Sequence, residues 1–394
     1  MILFYILAIL LIFLSYKSFR GGVNYLNYFK SELAKPQCNF TPFVSIIAPC
    51  KGLDDGLSEN LKALVEQEYP ECEVIFVVDD KSDHAVPVIK NILGINAKLI
   101  VAGKTKESSQ KIENLREAVL HVSERSEVFV FVDSDARTSK DWLRNLVAPL
   151  ENKDLGAATG YRWFISKLPG FASEMRSVWN ASVASALGQN VKSNFCWGGS
   201  TAIRRDVFER LDVREKWRGT VSDDFTLTRV LNDAGLPIFF VPMALTASIE
   251  NCTFRELLEF TTRQMKITRV YRPNLWKLSF FGSGVFNAVW IWSVLILIFS
   301  TANSFAFWAA AATLILVSIF SIGKSWLRLI AVRLVLAEYE KELNRQFWPQ
   351  NTLWLLTPAL FFYNAFAAWV SRRMTWRGTT YELKSARETV IISR

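Results

Sequence analysis

Histidine is nearly absent: only His84 and His121 stand in 394 residues, which leaves little from which to build a zinc centre or a histidine-based triad. The five cysteines, Cys38, Cys50, Cys72, Cys196 and Cys252, are odd in number and not closely paired. They fit reduced thiols in a cytosolic compartment better than a disulfide framework. There is no GxxxxGK[ST] and no GxGxxG, which speaks against nucleotide binding of the ATPase or dinucleotide dehydrogenase type. Internal repeats and low-complexity tracts are missing too. Between residue 16 and residue 279 no apolar run reaches the length of a bilayer core, so the middle of the chain reads as one large soluble domain.

The composition nevertheless points to a membrane. Hydrophobic residues make up 51% and charged residues 21%, with a mean hydropathy of +0.17, too apolar for a purely soluble chain and too charged for a wholly embedded one. Residues 1–16 carry no charge and are followed by Lys17 and Arg20. This lacks the basic start and small-residue end of a cleavable signal peptide and reads as a retained anchor, with the soluble middle on the cytoplasmic side. Further spans are expected at 279–300, 304–323 and 351–371. Four spans would place both termini outside, yet Arg372, Arg373, Arg377, Lys384, Arg387 and Arg394 favour a cytoplasmic tail. Either one segment is re-entrant or part of 324–343 enters the membrane. The net charge of +9 is assigned to membrane contact, since no nucleic-acid module is present.

The expected organisation is an anchor over 1–20, a linker over 21–42, an α/β domain over 43–253, an amphipathic juxtamembrane helix over 254–278, spans within 279–371 and a basic tail over 372–394. Strands are expected at 43–48, 72–78, 97–101 and 157–159, with helices at 57–67, 85–93 and 111–122. This alternation defines a doubly wound, mostly parallel sheet. Its centre is residues 127–137, EVFVFVDSDAR, where an apolar run stops at Asp133-Ser134-Asp135. A buried strand would deliver both carboxylates at its C-terminal end, where open α/β sheets bind ligands. Two such acids call for a divalent cation, Mg²⁺ or Mn²⁺, bridging to a diphosphate. An Asp-rich turn capping a helix from Asp141 is the simpler reading.

Other strand ends add to this edge. Pro49-Cys50-Lys51-Gly52 follows the first strand and Asp79-Asp80 the second. An aspartate there suits the imide N–H of a uracil ring, and Lys51 and Lys111 suit phosphate; an Asx turn is the structural alternative for the acid pair. In NFCWGGSTAIRR, residues 194–205, the glycines permit either close substrate approach or a tight turn. Asp223-Asp224 open a helix expected over 225–234, either as its cap or as a general base. In residues 254–272, Arg263, Lys266, Arg269 and Arg272 recur every three residues, as in a helix lying on lipid phosphates or clamping a diphosphate.

In this order VSIIAPCKG, LDDGLSENL, QEYPECEVIFVVDD, KIENL, FVDSDAR, GGSTAIRR, SDDF and RQMKI resemble membrane-bound inverting glycosyltransferases of the GT-A fold, and most closely the ceramide glucosyltransferase group. The resemblance runs over about residues 44–271, with an echo at Trp376-Arg377-Gly378 and Tyr381. It implies a uridine site at Asp80 with Asp79, lined by Pro49, Lys51 and Gly52, and places Lys111 in a stretch similar to the family's KINNL. It further implies a metal and diphosphate pair at Asp133 and Asp135 around Ser134, and Asp224 as catalytic base beside Asp223. Arg263 and Lys266 fall on the (Q/R)xxRW motif. There Lys266 replaces the arginine and Ile267 the tryptophan, which removes a guanidinium fork and an aromatic platform and weighs against a processive polymerase. The implied activity is transfer of a hexose or N-acetylhexosamine from a UDP-sugar to the hydroxyl of a ceramide-like lipid, a diacylglycerol or a hopanoid, in a bacterial inner membrane. The alternatives are a processive polysaccharide synthase or a catalytically silent nucleotide- or lipid-binding scaffold.

Overall fold

Apolar runs too short to cross a bilayer become the buried strands of the soluble part. The computed structural model describes residues 1–394, and they divide into two units. One comprises Ser31–Leu168, Ala186–Asn251 and Arg372–Arg394, the other Met1–Lys30, Pro169–Ser185 and Cys252–Ser371.

The first unit holds a seven-stranded sheet in the order β3-β2-β1-β4-β7-β5-β8. Its strands are β1 (Val44–Pro49), β2 (Cys72–Val78), β3 (Ala97–Val101), β4 (Val128–Phe131), β5 (Ala157–Thr159), β7 (Thr201–Arg204) and β8 (Ile238–Phe240). Strands β3, β2, β1 and β4 are mutually parallel, β5 and β8 are parallel, and β7 runs antiparallel to both its neighbours. The expected α/β class and mostly parallel sheet are therefore found. Between β5 and β7 lies β6 (Arg162–Ile165), which pairs in parallel with β9 (Thr246–Ile249) as a separate two-stranded sheet.

Helices cover the sheet, so its parallel strands are apolar on both sides rather than alternating. On one side Ile47, Ile75, Val77, Phe129 and Phe131 pack with Ile112, Leu115, Phe208, Trp217 and Leu227. Three rings interlock there, with Phe129 to Phe208 at 5.3 Å, Phe131 to Trp217 at 5.2 Å and Phe208 to Trp217 at 5.4 Å between centroids. Large aromatic areas of this kind dominate core energetics.

Several boundaries differ from expectation. Strand β4 ends at Phe131, so the acids follow in a turn rather than on the strand. The helix expected over 111–122 is Gln110–Ala118 followed by a 3₁₀ turn, and the one expected over 225–234 begins at Asp223 because Ser222 caps it. The expected linker over 21–42 is helical as far as Leu33, since the first helix runs unbroken from Ile2. Its Gly21-Gly22 pair is not a break: Gly22 packs against Lys324, where a Cβ would meet the Lys324 backbone at 3.2 Å. Residues 372–394, expected as a basic tail, form a three-stranded antiparallel sheet of β10 (Arg373–Trp376), β11 (Thr379–Ser385) and β12 (Glu388–Ser393).

In the second unit, helices Ile2–Leu33, Pro273–Phe299 and Phe305–Val335 are long and apolar enough to cross a membrane. A further pair, Phe347–Leu355 and Thr357–Val370, is bent by 58° and counts as a fourth span only if taken as one. The spans expected at 279–300 and 304–323 thus lie inside longer helices, and the one at 351–371 is broken. Phe4, Ala8 and Leu11 of the first helix pack with Val289, Ile296, Ala310 and Val317. Helix Phe254–Tyr271 starts with a capping box between Thr253 and Glu256, which satisfies donors its first turn would otherwise leave open.

Candidate active site

Three adjacent parallel strands, β2, β1 and β4, deliver their following residues to one edge of the sheet. After β1, Lys51 donates to Asp79 Oδ2 at 3.0 Å, and Gly52 N donates to Asp83 Oδ1 at 2.9 Å. Gly52 has φ +67°, a left-handed conformation that a side chain would strain. Pro49 closes β1 just before it. After β2, the Asx turn is formed: Asp80 Oδ1 accepts from Ser82 N at 2.9 Å and from Ser82 Oγ at 2.8 Å. These bonds, with Lys104 nearby, hold the exposed Asp80 carboxyl below the usual range.

After β4, the turn Asp133-Ser134-Asp135 is anchored by Asn60, whose Nδ2 donates to Ser134 O at 3.1 Å. Asp133 Oδ1 lies 2.7 Å from Lys111 Nζ. Arg162 reaches both acids, Asp133 Oδ2 at 3.3 Å and Asp135 Oδ2 at 2.8 Å. Its guanidinium also lies 4.7 Å above the Trp197 ring, an arrangement suited to a delocalised cation. Lys111 reaches further, to Asp223 Oδ1 at 3.1 Å and Gly198 O at 3.3 Å. One ammonium thus joins the central acids to the acid pair ninety residues on. The backbone fixes this juxtaposition. Ser109 caps the helix carrying Lys111, while its Oγ donates to Val221 O at 2.9 Å and its N to Thr220 O at 3.0 Å.

Electrostatics follow from that packing. Burial raises the Asp133 pKa, but Lys111 and Arg162 outweigh it and hold the carboxyl below its ordinary value. Burial works against the Lys111 ammonium, and Asp133, Asp223 and Asp224 more than compensate, so it stays charged. For Asp223 burial wins over Lys111, and its pKa is pushed up to about 6. Asp224 is half-buried at the first turn of its helix. Its Oδ1 accepts from Phe225 N at 2.7 Å and from the Ser222 hydroxyl. The helix cap is Ser222 rather than either acid of the pair, and these two bonds fix the orientation of the Asp224 carboxylate.

Two glycines beside this cluster are required by space, not by turn geometry. A Cβ at Gly198 would fall on the Asp223 carboxylate and lie 2.8 Å from Lys111 Nζ; one at Gly199 would fall on the Trp197 ring and lie 2.8 Å from Asp133 Oδ2. Neither has a positive φ.

Three residues of the cluster were given no site role by the sequence reading. Arg162 opens β6 and is 8% exposed; a lone arginine in an otherwise apolar strand was the available signal, since such a charge must be paired. Asp54, between β1 and its following helix, accepts from Ser134 Oγ at 2.8 Å. Arg377 pairs with Asp54 from the turn between β10 and β11. Arg263 and Lys266 belong to the membrane unit, on helix Phe254–Tyr271. There the Arg263 guanidinium lies 5.6 Å from the Phe260 ring, and burial lowers the Lys266 pKa.

The donor set also bears on a divalent cation. No three His, Cys, Asp or Glu side chains gather as a metal cage. Mg²⁺ and Mn²⁺ in phosphate sites need only one or two carboxylates, with water and phosphate completing the shell. Asp135 Oδ1 is buried with no hydrogen-bond partner, and a buried orphan acceptor is costly without a ligand. Asp135, with Asp133 beside it, therefore fits such an ion.

These features describe a membrane-anchored α/β protein whose mostly parallel sheet gathers paired acids and buried cations at one edge. The chain belongs to glycosyl transferase family 21, whose model matches residues 3–389. It is 28% identical over 204 residues to ceramide glucosyltransferase 3 of Caenorhabditis elegans, covering 49% of this chain and 43% of that protein. It is 25% identical over 172 residues to the ceramide glucosyltransferase of Candida albicans, covering 40% of this chain and 30% of that one. The chain thus spans less than half the length of these curated relatives. Among solved structures, a mannosyltransferase from Pyrobaculum calidifontis in complex with GDP-Man and Mn²⁺ covers 91% of this chain and 99% of its own, at 20% identity and a TM-score of 0.46.

Proposed function

We propose that the protein is an inverting, UDP-sugar-dependent lipid glycosyltransferase that moves a hexose or N-acetylhexosamine to the hydroxyl of a membrane lipid of ceramide, diacylglycerol or hopanoid type. The observation that carries this reading is the buried, unpartnered Asp135 Oδ1 in a cluster that Lys111 ties to the Asp223-Asp224 helix start. One end of the cluster suits a cation and diphosphate, and the other offers a base.

The roles proposed are those that the family resemblance implies. Asp79 and Asp80 receive the uracil imide, with Pro49, Lys51 and Gly52 lining the nucleotide. Asp133 and Asp135 around Ser134 hold the diphosphate end, where Mg²⁺ or Mn²⁺ would supply charge stabilisation for the leaving group. Arg263 and Lys266 are assigned to the diphosphate by the resemblance of their motif alone. Asp224 Oδ2 takes the proton of the acceptor hydroxyl as that oxygen bonds to the anomeric carbon from the face opposite the diphosphate. The bond from that carbon to the diphosphate oxygen breaks, its electron pair leaves with UDP, and the product is a β-glycoside. Three spanning-type helices support an integral membrane protein, and the basic flank after the first favours a cytoplasmic soluble unit; the membrane proposed is a bacterial inner membrane.

The test is a screen of the detergent-solubilised full chain with Mn²⁺, a panel of UDP-sugars and total membrane lipid, following UDP release and lipid products by mass spectrometry. A single-sugar glycolipid that disappears with Asp224→Asn is expected. Absence of UDP release from every donor would overturn the reading in favour of a silent scaffold.

A further inference from the structure

The turn between β10 and β11 consists of Arg377 and Gly378, between the paired residues Trp376 and Thr379. Both have positive φ, +49° for Arg377 and +79° for Gly378. Two-residue hairpins of this kind favour asparagine, aspartate or glycine at the first position, and an arginine there carries a conformational cost. Strain of this sort is kept where the surroundings enforce it, and it clusters at functional sites.

The surroundings here are the acid cluster. Arg377 Nη2 pairs with Asp54 Oδ1, and Asp54 Oδ2 accepts from the hydroxyl of Ser134, between the two central acids. Arg377 is therefore two hydrogen bonds from the turn that holds Asp135. Burial works against its charge, but Asp54, Asp135 and Glu250 keep it raised above the ordinary arginine value. Its side chain remains 42% exposed, against 10% for Asp54, so the guanidinium can reach a ligand and its partner cannot follow it out. The small sheet that carries it is docked next to the same machinery. Gln110 N, one residue before Lys111, donates to the Tyr381 hydroxyl at 3.2 Å, Arg394 donates to Thr105 O, and a Cβ at Gly219 would meet Arg387 O at 2.5 Å.

We propose that Arg377 binds the diphosphate of the donor, its guanidinium exchanging the Asp54 carboxylate for phosphate oxygens. The inference rests on the UDP-sugar reading above. A planar fork matches phosphate bidentately where an ammonium cannot. Asp54 keeps the fork in place when no donor is bound.

The competing account is a structural staple: the pair only fastens the tail sheet, and breaking it from either side has one effect. The experiment measures UDP and uridine affinity of the full chain in detergent with Mn²⁺, by calorimetry, for wild type, Arg377→Gln, Arg377→Lys and Asp54→Asn. For Arg377→Gln we expect UDP affinity to fall about 10-fold or more, the loss of a charge-assisted contact, with uridine affinity unchanged. Arg377→Lys, which keeps the ion pair and loses the fork, should fall in between; it carries the comparison if Arg377→Gln does not fold. Asp54→Asn, which keeps the guanidinium and releases it, should retain UDP binding. Equal UDP affinity in wild type and both Arg377 variants would overturn the inference alone. So would parallel losses for Asp54→Asn and Arg377→Gln. A wild type that binds neither UDP nor uridine would overturn the proposed function and this inference with it.

Discussion

Replacing Lys111 by methionine tests whether one ammonium holds the two acid motifs together. In the native protein it lies 2.7 Å from Asp133 and 3.1 Å from Asp223, with its side chain only 12% exposed. Removing one partner of a buried ionic cluster costs about 3–5 kcal/mol, because the remaining charges are left uncompensated. For a unit of this size each kcal/mol moves the unfolding midpoint by roughly 2–4 °C, so a drop of roughly 6–20 °C is expected. Asp133 retains Arg162, whereas Asp223 loses the cation it pairs with, so most of the penalty falls on Asp223. Adding Asp223→Asn to Lys111→Met should recover about half of the loss or more. The pH dependence has a definite sign. Burial already pushes Asp223 up to about 6 in the native fold, and losing Lys111 pushes it higher. A carboxyl whose folded pKa lies above its unfolded value binds more protons folded than unfolded, so its penalty is absent below about pH 4 and grows as pH rises through the folded pKa. The deficit that Asp223 adds relative to wild type should therefore open above about pH 6, where the native carboxyl is already ionised, and grow as pH rises through the variant's own, higher pKa. Thermal unfolding of the full chain in detergent, followed by tryptophan fluorescence between pH 4.5 and 8, reads all of this. A midpoint unchanged by Lys111→Met, or a deficit that Asp223→Asn does not reduce, would refute the reasoning.

Two further substitutions separate space from charge. Asp135→Asn should leave the unfolding midpoint within a few degrees of wild type but reduce Mn²⁺-dependent turnover about 10²-fold or more, the scale expected when an electrostatic stabiliser of the leaving group is lost; a metal titration of UDP release checks it. Gly198→Ala places a methyl on the Asp223 carboxylate and should cost about 1–3 kcal/mol of stability. Gly188→Ala, where a Cβ meets nothing within 4 Å, is the control, and equal melting of the two variants would count against the crowding described.

How much of this was visible in the sequence depended on how local each signal was. Strands β2 and β3 have the expected bounds, because a run of β-branched residues between polar turns carries its own period. Asp133, Asp223 and Asp224 were singled out as candidates because acids at strand ends and helix starts are local patterns. Arg162 was passed over, because only the folded sheet shows that this residue, the first of β6, faces Asp133 and Asp135. Asp54 had no visible chemistry, since its partner Arg377 lies 323 residues away. The tail was read for its charge, which hid an alternation that was present. In TTYELKS, Thr379, Tyr381 and Leu383 are buried and the residues between them are not, the period of a strand with one covered face.

The charge balance of the cluster explains why these long-range partners are needed. Asp133, Asp135, Asp223 and Asp54 converge on one sheet edge, where carboxylates so close would raise one another's pKa and stay protonated. Burial keeps Asp54 and Asp223 raised even so, while Asp133 is held low; the opposing cations are Lys111, Arg162 and Arg377, each pairing with at least one acid. All three come from outside the β4 turn: one from a helix, one from the small β6–β9 sheet and one from the C-terminal hairpin. A nucleoside diphosphate entering such a site adds negative charge beside acids that are already balanced. It can be held only if a divalent cation arrives with it or the resident cations change partners. Asp135 Oδ1, buried without a partner, would serve the first requirement. Arg377, the most exposed of the three cations, would serve the second under the inference proposed above.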